Sequence, residues 1–201
     1  MNRRPPPPTR SPRAAAATGT VRIVGGHWRG TKLPVADRDG LRPTADRVRE
    51  TLFNWLQPML PGARVLDLFA GTGALGLEAV SRGAREAVLV ERDPALAASL
   101  REVVARLPGG DRVRVANEDA LAWLRRPDAR FDLAFVDPPF AAGLWAPVLA
   151  ALPGHLADAA WLYVESPADG APDPGPGWGL HREGRTRDVR YALYRRDPAP
   201  A

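Results

Sequence analysis

Hydrophobic residues follow two different spacings along the chain, and the alternation of these spacings outlines its elements. From residue 64 onward, short apolar runs alternate with segments in which apolar residues recur every three or four positions. The runs predict strands and the helical spacing predicts helices, an alternation typical of a parallel sheet with helices on both faces. The predicted strands are Arg64–Phe69, Ala87–Glu91, Arg112–Ala116, Phe131–Asp137 and Trp161–Glu165, and the predicted helices are Ala74–Ser81, Pro94–Leu107, Ala120–Arg125 and Leu144–Leu152.

The end of the pattern differs, because two strand-like segments follow each other with no helix between them. These segments are Gly179–Arg187 and Val189–Arg195. Since almost nothing separates them, we expect them to pair antiparallel.

The N-terminal part divides into two further segments. Residues 1–20 hold four Arg, five Pro and no acid, so we expect a disordered basic tail. Val21–Val24 and Thr31–Leu33 predict a small hairpin, and Thr44 is a suitable N-cap for a helix that reaches Gln57. We therefore predict a hairpin-and-helix segment over 21–60 and one α/β domain over 61–201.

Composition narrows the class of protein. The 201 residues carry a net charge of +5, contain no cysteine and include only three histidines. A basic chain favours an anionic partner such as nucleic acid, and the absence of cysteine removes thiolate ligands and nucleophiles. No apolar run is long enough for a membrane span, so we expect a cytoplasmic protein. Three scattered histidines without cysteine make no ligand cluster, so we expect no metal. We also expect a monomer.

A glycine-rich turn follows the first strand of the α/β region. Phe69 and Ala70 are followed by Gly71-Thr72-Gly73-Ala74-Leu75-Gly76, and Glu91 lies 20 residues after Gly71, where a ribose-binding acid is expected. This spacing also occurs in dinucleotide-dependent oxidoreductases. Asp67 argues against that class, because its carboxylate would face a pyrophosphate, whereas the ammonium and sulfonium of S-adenosylmethionine attract an anion.

Two residues after the third strand of this region are further candidates for cofactor binding. In such folds the positions of Asp119 and Ala120 border the adenine ring, and the Asp119 carboxylate can accept a hydrogen bond from the adenine amino group. Asp119 is equally suited to be the N-cap of the next helix. Both interpretations stay open at this point.

The sharpest motif is Asp137-Pro138-Pro139-Phe140, which ends an apolar strand. Pro138 has no N–H but keeps its carbonyl, so Asp137 and that carbonyl form a pair that only accepts hydrogen bonds. An exocyclic amino group on a base has two N–H donors that suit such a pair. Phe140 is placed to stack on the base, which must be flipped out of its stack or unpaired.

The region before the α/β domain has a composition that indicates a nucleic-acid-binding surface. From residue 22 to residue 50 the chain has seven Lys or Arg against four acids. We expect phosphate contacts and stacking there. The candidates are Arg22, His27, Trp28, Arg29, Arg42, Thr44 and Arg47.

Taken together, these motifs resemble those of the RsmD family of bacterial small-subunit ribosomal RNA guanine-N2 methyltransferases. The resemblance runs from about residue 21 to residue 196. It rests on the segments 22–30 (RIVGGHWRG), 41–56 (LRPTADRVRETLFNWL), 136–140 (VDPPF) and 163–166 (YVES).

The resemblance implies a Rossmann-like fold with a seven-stranded, mostly parallel sheet whose last strand is antiparallel. It also implies S-adenosylmethionine as cofactor and the N2 of one guanine in 16S rRNA, naked or in the small subunit, as target. The motifs leave three alternatives: an adenine-N6 methyltransferase on DNA or RNA, a dinucleotide-dependent oxidoreductase, and an RNA-binding module without activity.

Overall fold

Two sheets, five α-helices and three short 3-10 helices form the part of the chain that the computed structural model describes, residues 19–35, 46–126 and 130–196. The strands are β1 (Gly19–Arg22), β2 (Lys32–Val35), β3 (Arg64–Asp67), β4 (Glu86–Val90), β5 (Val113–Ala116), β6 (Phe131–Val136), β7 (Leu156–Pro167), β8 (Trp178–Arg185) and β9 (Val189–Arg196). The helices are α1 (Asp46–Leu56), α2 (Ala74–Ser81), α3 (Pro94–Arg106), α4 (Ala120–Trp123) and α5 (Trp145–Ala151).

The larger sheet has seven strands in the order β5-β4-β3-β6-β7-β9-β8. Neighbouring strands are parallel except that β9 runs antiparallel to both β7 and β8. This topology confirms the predicted Rossmann-like fold with an antiparallel last strand. We call the edge at which β3 to β7 end the carboxyl edge, and the opposite edge the amino edge.

Helices cover both faces of the sheet, as the alternating pattern predicted. One hydrophobic cluster joins the sheet to α1, α2 and α3, and the other joins it to α4 and α5. The central strands β3, β4 and β6 are apolar on both faces because both of their faces are buried, whereas β8 is mostly exposed.

The small hairpin of β1 and β2 packs on the first of these faces and shares its core. Val21, Ile23, Trp28 and Leu33 are all less than 7% exposed and belong to the cluster that contains α2 and α3. The Glu78 carboxylate of α2 holds the loop, because it accepts the backbone N–H groups of Val24 and Gly25, both at 2.7 Å.

The structure departs from the predicted boundaries in two instructive places. Strand β7 begins at Leu156, five residues before the predicted start at Trp161, and a shift in its register with β6 absorbs the extra residues. The segment 157–160 (ADAA) lacks the large apolar side chains that identify a strand. Strand β3 ends at Asp67, so Phe69 lies in the turn that follows.

Among the residues described, no helix is both long and apolar enough to cross a membrane.

Candidate active site

The glycine turn joins β3 to α2 at the carboxyl edge. Gly71 and Gly73 adopt φ values of 52° and 78°, a left-handed conformation that side chains disfavour. A Cβ on Gly73 would also meet the Leu100 side chain at 2.6 Å. The turn therefore needs glycine at both positions.

Glu91 fixes this turn against the next one. Its Oε2 accepts the N–H of Gly71 at 2.9 Å, and its Oε1 accepts the N–H of Asp93 at 2.7 Å. The side chain is only 9% exposed. The structure thus brings Glu91 to the glycine turn and gives it a second task, because it holds two loops of the candidate cofactor site together.

Asp67 lies under the same turn and is 2% exposed. Its Oδ2 accepts the N–H of Gly76 at 3.0 Å, which anchors the start of α2. Burial raises the pKa of the Asp67 carboxyl to about 7, and the nearby negative charge of Glu91 adds to the rise. A cation bound next to Asp67 would offset this burial cost.

Asp119 is the N-cap of α4, and Ala120 is the first residue of that helix. Oδ1 of Asp119 accepts the N–H groups of Leu121 and Ala122 at 3.0 and 3.1 Å. The capping interpretation is therefore confirmed. The side chain is exposed at the carboxyl edge, so the cap does not remove it from the candidate cofactor site.

Asp137 directly follows β6, between the glycine turn and the end of β7. No described residue donates a hydrogen bond to its carboxylate, and no described backbone N–H donates to the Pro138 carbonyl outside the regular elements. Pro138 is buried and Pro139 is exposed. Phe140 is half-buried and packs against Trp145 with ring centroids 5.8 Å apart. Both acceptors of the predicted pair thus remain available.

Glu165 is an acid of this site to which the sequence motifs assigned no role. Val136 pairs with Val164, so Asp137 and Glu165 follow each other across adjacent strands, about 5 Å apart along the edge. The Tyr163 hydroxyl donates to Oε1 of Glu165 at 2.7 Å. Desolvation by burial, and then the charges of Glu165 and Asp67, raise the pKa of Asp137 well above its usual value.

The predicted RNA-binding residues are only partly where stacking or phosphate contact requires them. The side chains of Arg22, His27, Arg29 and Arg47 are exposed. Arg42 and Thr44 lie outside the described residues.

The expectation that Trp28 stacks on RNA is wrong. The residue is 3% exposed, and its indole N–H donates to the Pro108 carbonyl at 3.0 Å. Its ring is packed into the core between the hairpin and α3, so it cannot stack on a base.

The His27–Arg29 loop lies at the amino edge, far from Asp137. His27 donates its N–H to the carbonyl of Ser81 at the end of α2, and the loop lines a cavity of about 460 Å³ with Arg106 and Pro108 at the end of α3. Both helices run from the carboxyl edge to the amino edge. The structure therefore does not bring the predicted RNA-contacting loop and the predicted acceptor pair together.

Arg49 is a buried cation that the helical pattern does not reveal. Its guanidinium is fully buried, and its Nη2 donates to the Arg22 carbonyl and pairs with Asp46 at 2.5 Å. Burial lowers the pKa of Arg49, although the negative charge of Asp46 acts in the opposite direction.

The described residues contain no group of three or more His, Cys, Asp or Glu that would hold a metal ion.

Comparison with known proteins agrees with this geometry. Residues 21–195 match the family described as Conserved hypothetical protein 95. Ribosomal RNA small subunit methyltransferase D of Escherichia coli (strain K12) is 49% identical over 185 residues, which cover 90% of this chain and 93% of that protein. The protein of the same name from Haemophilus influenzae is 41% identical, with coverages of 89% and 95%.

A solved structure is similar over the same span. The putative methyltransferase yhhF from Escherichia coli superposes with a TM-score of 0.80 at 47% identity, covering 90% of this chain and 99% of that one.

Proposed function

Because the chain belongs to the ribosomal RNA small subunit methyltransferase D family and is an S-adenosylmethionine-dependent methyltransferase, we propose that it methylates the N2 amino group of a guanine in 16S rRNA. The observation that carries the proposal is the pair of uncommitted acceptors, the Asp137 carboxylate and the Pro138 carbonyl. They lie at the edge of the sheet that also holds the glycine turn.

The residues around the glycine turn suit S-adenosylmethionine. Burial raises the pKa values of Asp67 and Asp137, and negative charge adds to the rise, from Glu91 on Asp67 and from Glu165 and Asp67 on Asp137. A ligand with an ammonium and a sulfonium relieves that repulsion, whereas a dinucleotide phosphate would add to it. Phe69, Gly71, Gly73 and Glu91 hold the methionyl and ribose parts, and Asp119 and Ala120 border the adenine.

The acceptor pair orients the amino group that receives the methyl. An exocyclic amino nitrogen is a poor nucleophile because its lone pair is delocalised into the ring. S-adenosylmethionine supplies the methyl as part of a positively charged sulfonium. Asp137 and the Pro138 carbonyl accept the two N–H groups and hold the nitrogen in line with that methyl. The Asp137 charge also stabilises the positive charge that develops on the nitrogen as the methyl leaves the sulfur, and the nitrogen then releases one of its two protons to Asp137 or to solvent. The side chains of Phe140 and Pro139 enclose the flipped base.

The test is the identity of the methylated nucleoside. Unmethylated small subunits or their 16S rRNA are incubated with the protein and labelled S-adenosylmethionine, then digested and analysed by mass spectrometry. We expect a single N2-methylguanosine, lost from the rRNA of a strain without the protein. N6-methyladenosine as the product would overturn the choice of base, and absence of any methylated nucleoside would overturn the proposal.

We further propose that the protein acts as a monomer in the cytoplasm, with Arg22, His27, Arg29 and Arg47 contacting RNA phosphates. The exposure of these four side chains supports the contacts. Light scattering of the purified protein at micromolar concentration measures the oligomeric state, and a dimer mass contradicts this part of the proposal.

A further inference from the structure

The turn between β8 and β9 lies at the carboxyl edge, beside the candidate active site. Val189 at the start of β9 pairs with Pro167 at the end of β7, and Arg185 at the end of β8 pairs with Arg190. The turn is fastened there, because the Ala168 N–H donates to the Asp188 carbonyl at 3.1 Å. The antiparallel insertion of β9 therefore brings residues 185–189 to the edge that holds Asp137.

Exposed positive charge is concentrated on this turn. Arg182, Arg185 and Arg187 are all exposed, and the Arg187 side chain makes no hydrogen bond or ion pair with any described residue. The acid nearest in β8, Glu183, is already paired with the buried Arg190 at 2.8 Å. Asp188 is the one exposed acid within the turn itself. Asp169, just after β7, is also exposed, so three exposed arginines face two exposed acids and a small excess of positive charge remains next to the site.

The distance from this turn to Asp137 suits a nucleotide chain. β9 is two strands away from β6, which is roughly 10 Å along the edge. Successive phosphates of a stacked strand advance by about 3.4 Å, so the turn lies within about three nucleotides of a base held at Asp137. The basic loop around Arg29, by contrast, lies at the amino edge and cannot contact these nearest phosphates.

We propose that Arg185 and Arg187 bind backbone phosphates of the RNA on one side of the methylated base, an inference that rests on the function proposed above. A base taken out of its stack must have its flanking backbone held, and arginine on a fixed turn supplies that contact. RNA is the occupant that the observations favour, because the turn adjoins an edge that receives a nucleic-acid base and carries the opposite charge.

The test compares two double variants with the same change in charge. Arg185→Glu/Arg187→Glu alters the turn, and Arg85→Glu/Arg130→Glu alters two exposed arginines that directly precede β4 and β6 at the amino edge. RNA affinity is measured by filter binding across salt concentrations, together with kcat and KM for methylation and S-adenosylmethionine affinity by calorimetry. A third variant, Arg185→Lys/Arg187→Lys, keeps the charge and guards against misfolding.

We expect the turn variant to raise the dissociation constant and KM for RNA by 10-fold or more. The slope of log affinity against log salt should fall by about 1.5, since each lost phosphate contact contributes roughly 0.7 to 0.9. Affinity for S-adenosylmethionine and kcat at saturating RNA should stay unchanged, and the Lys variant should retain most of the RNA affinity.

Equal RNA affinities and salt slopes for the turn variant and the amino-edge variant would overturn the inference. Because the wild type is assayed alongside, this result is distinguishable from failure of the proposed function. In that second case the wild-type protein itself would form no N2-methylguanosine, while its RNA binding would still report on the turn.

Discussion

The environment of Asp137 is unfavourable for a charged side chain. Asp137 is a carboxylate with no hydrogen-bond donor among the described residues, and the charges of Glu165 and Asp67 act on it. Such a group is costly in the free protein, and a donor with positive character relieves that cost. The amino group of the base, which gains positive charge as it is methylated, is such a donor.

Asp137→Ala should therefore lose methyl transfer while keeping its ligands. We expect kcat to fall on the order of 100- to 1000-fold, because the charge acts most strongly as the amino nitrogen becomes positive. The kcat of Asp137→Asn should lie between those of the wild type and Asp137→Ala, since an amide oxygen accepts one hydrogen bond without charge. Single-turnover methylation measures the loss, with the exposed amino-edge change Asp158→Ala as control. Wild-type kcat in Asp137→Ala would remove the acceptor pair from the mechanism.

The raised pKa of Asp67 predicts a pH dependence of cofactor binding. With a pKa of about 7, this carboxyl is mostly protonated at pH 6 and becomes ionised as the pH rises. The ionised form attracts the cofactor's ammonium, so affinity for S-adenosylmethionine should increase between pH 6 and pH 7.5, with release of a proton on binding. Calorimetry in buffers of different ionisation enthalpy measures both effects. Asp67→Asn should flatten the dependence, and an unchanged slope in that variant would show that another group titrates.

At the scale of elements, the candidate cofactor site depends on loops that are joined by side chains. Glu91 connects the glycine turn after β3 to the turn before α3, and the Asn117 amide donates to the Glu91 carbonyl at 2.9 Å. The ends of β3, β4 and β5 are thus linked before any ligand binds. Such preorganisation lowers the cost of binding, because the loops need not be ordered by the ligand.

Glu91→Ala should consequently weaken both the cofactor site and the fold. It leaves the N–H groups of Gly71 and Asp93 without their acceptors, and each costs about 1–3 kcal/mol if it stays buried. Urea denaturation measures the loss, and calorimetry measures the reduced cofactor affinity. Glu91→Gln should lose less, since its one oxygen still accepts one of the two bonds. A wild-type unfolding free energy in Glu91→Ala would show that water replaces the carboxylate at no cost.

The hairpin offers a test of the corrected role of Trp28. Because the indole is buried against α3, Trp28→Ala should cost about 3–5 kcal/mol of stability, as truncations of large buried aromatic residues do. His27→Ala, its exposed neighbour, should change stability by less than about 0.5 kcal/mol. Denaturant melts of the two variants make the comparison. A loss of RNA affinity without a loss of stability in Trp28→Ala would restore the stacking interpretation.

Local chemistry explains which elements the sequence predicts well. Asp93 and Pro94 mark the start of α3, and the structure has Asp93 accepting the N–H groups of Ala95 and Leu96. Whether Trp28 is buried or exposed could not be predicted from local sequence. A tryptophan between a histidine and an arginine is compatible with a core or with an RNA surface, and only the packing of the hairpin on α3 decides between them.

For the molecule as a whole, the carboxyl edge was predictable and the position of the basic residues around it was not. Glu91 and Asp137 end predicted strands and Asp67 lies two residues before the end of another, and parallel strands bring such residues to one edge. The fastening of the His27 loop to Ser81 depends on contacts between residues more than 50 positions apart. No local pattern reveals such contacts, so the distance between that loop and Asp137 emerged only from the structure.

Strand β9 should be indispensable to the sheet, although it follows every catalytic motif in the chain. Its residues Tyr191 and Leu193 belong to the core cluster shared with α1 and α2. A chain that stops after residue 186 should therefore lose cooperative unfolding and cofactor binding together. Circular dichroism during urea denaturation detects this, and a sharp transition in the shortened chain would contradict it.

The position of β9 also dictates an order of events in folding. β8 is synthesised before β9, yet among the described strands its only partner in the sheet is β9. While a ribosome is still making β9, β8 has no strand to pair with and the flank of β7 is open. Closure of this side of the sheet is thus delayed until β9 is available to pair with β7 and β8. A maturing chain passes through a stage with an unpaired strand edge, the kind of surface that chaperones recognise and that promotes aggregation.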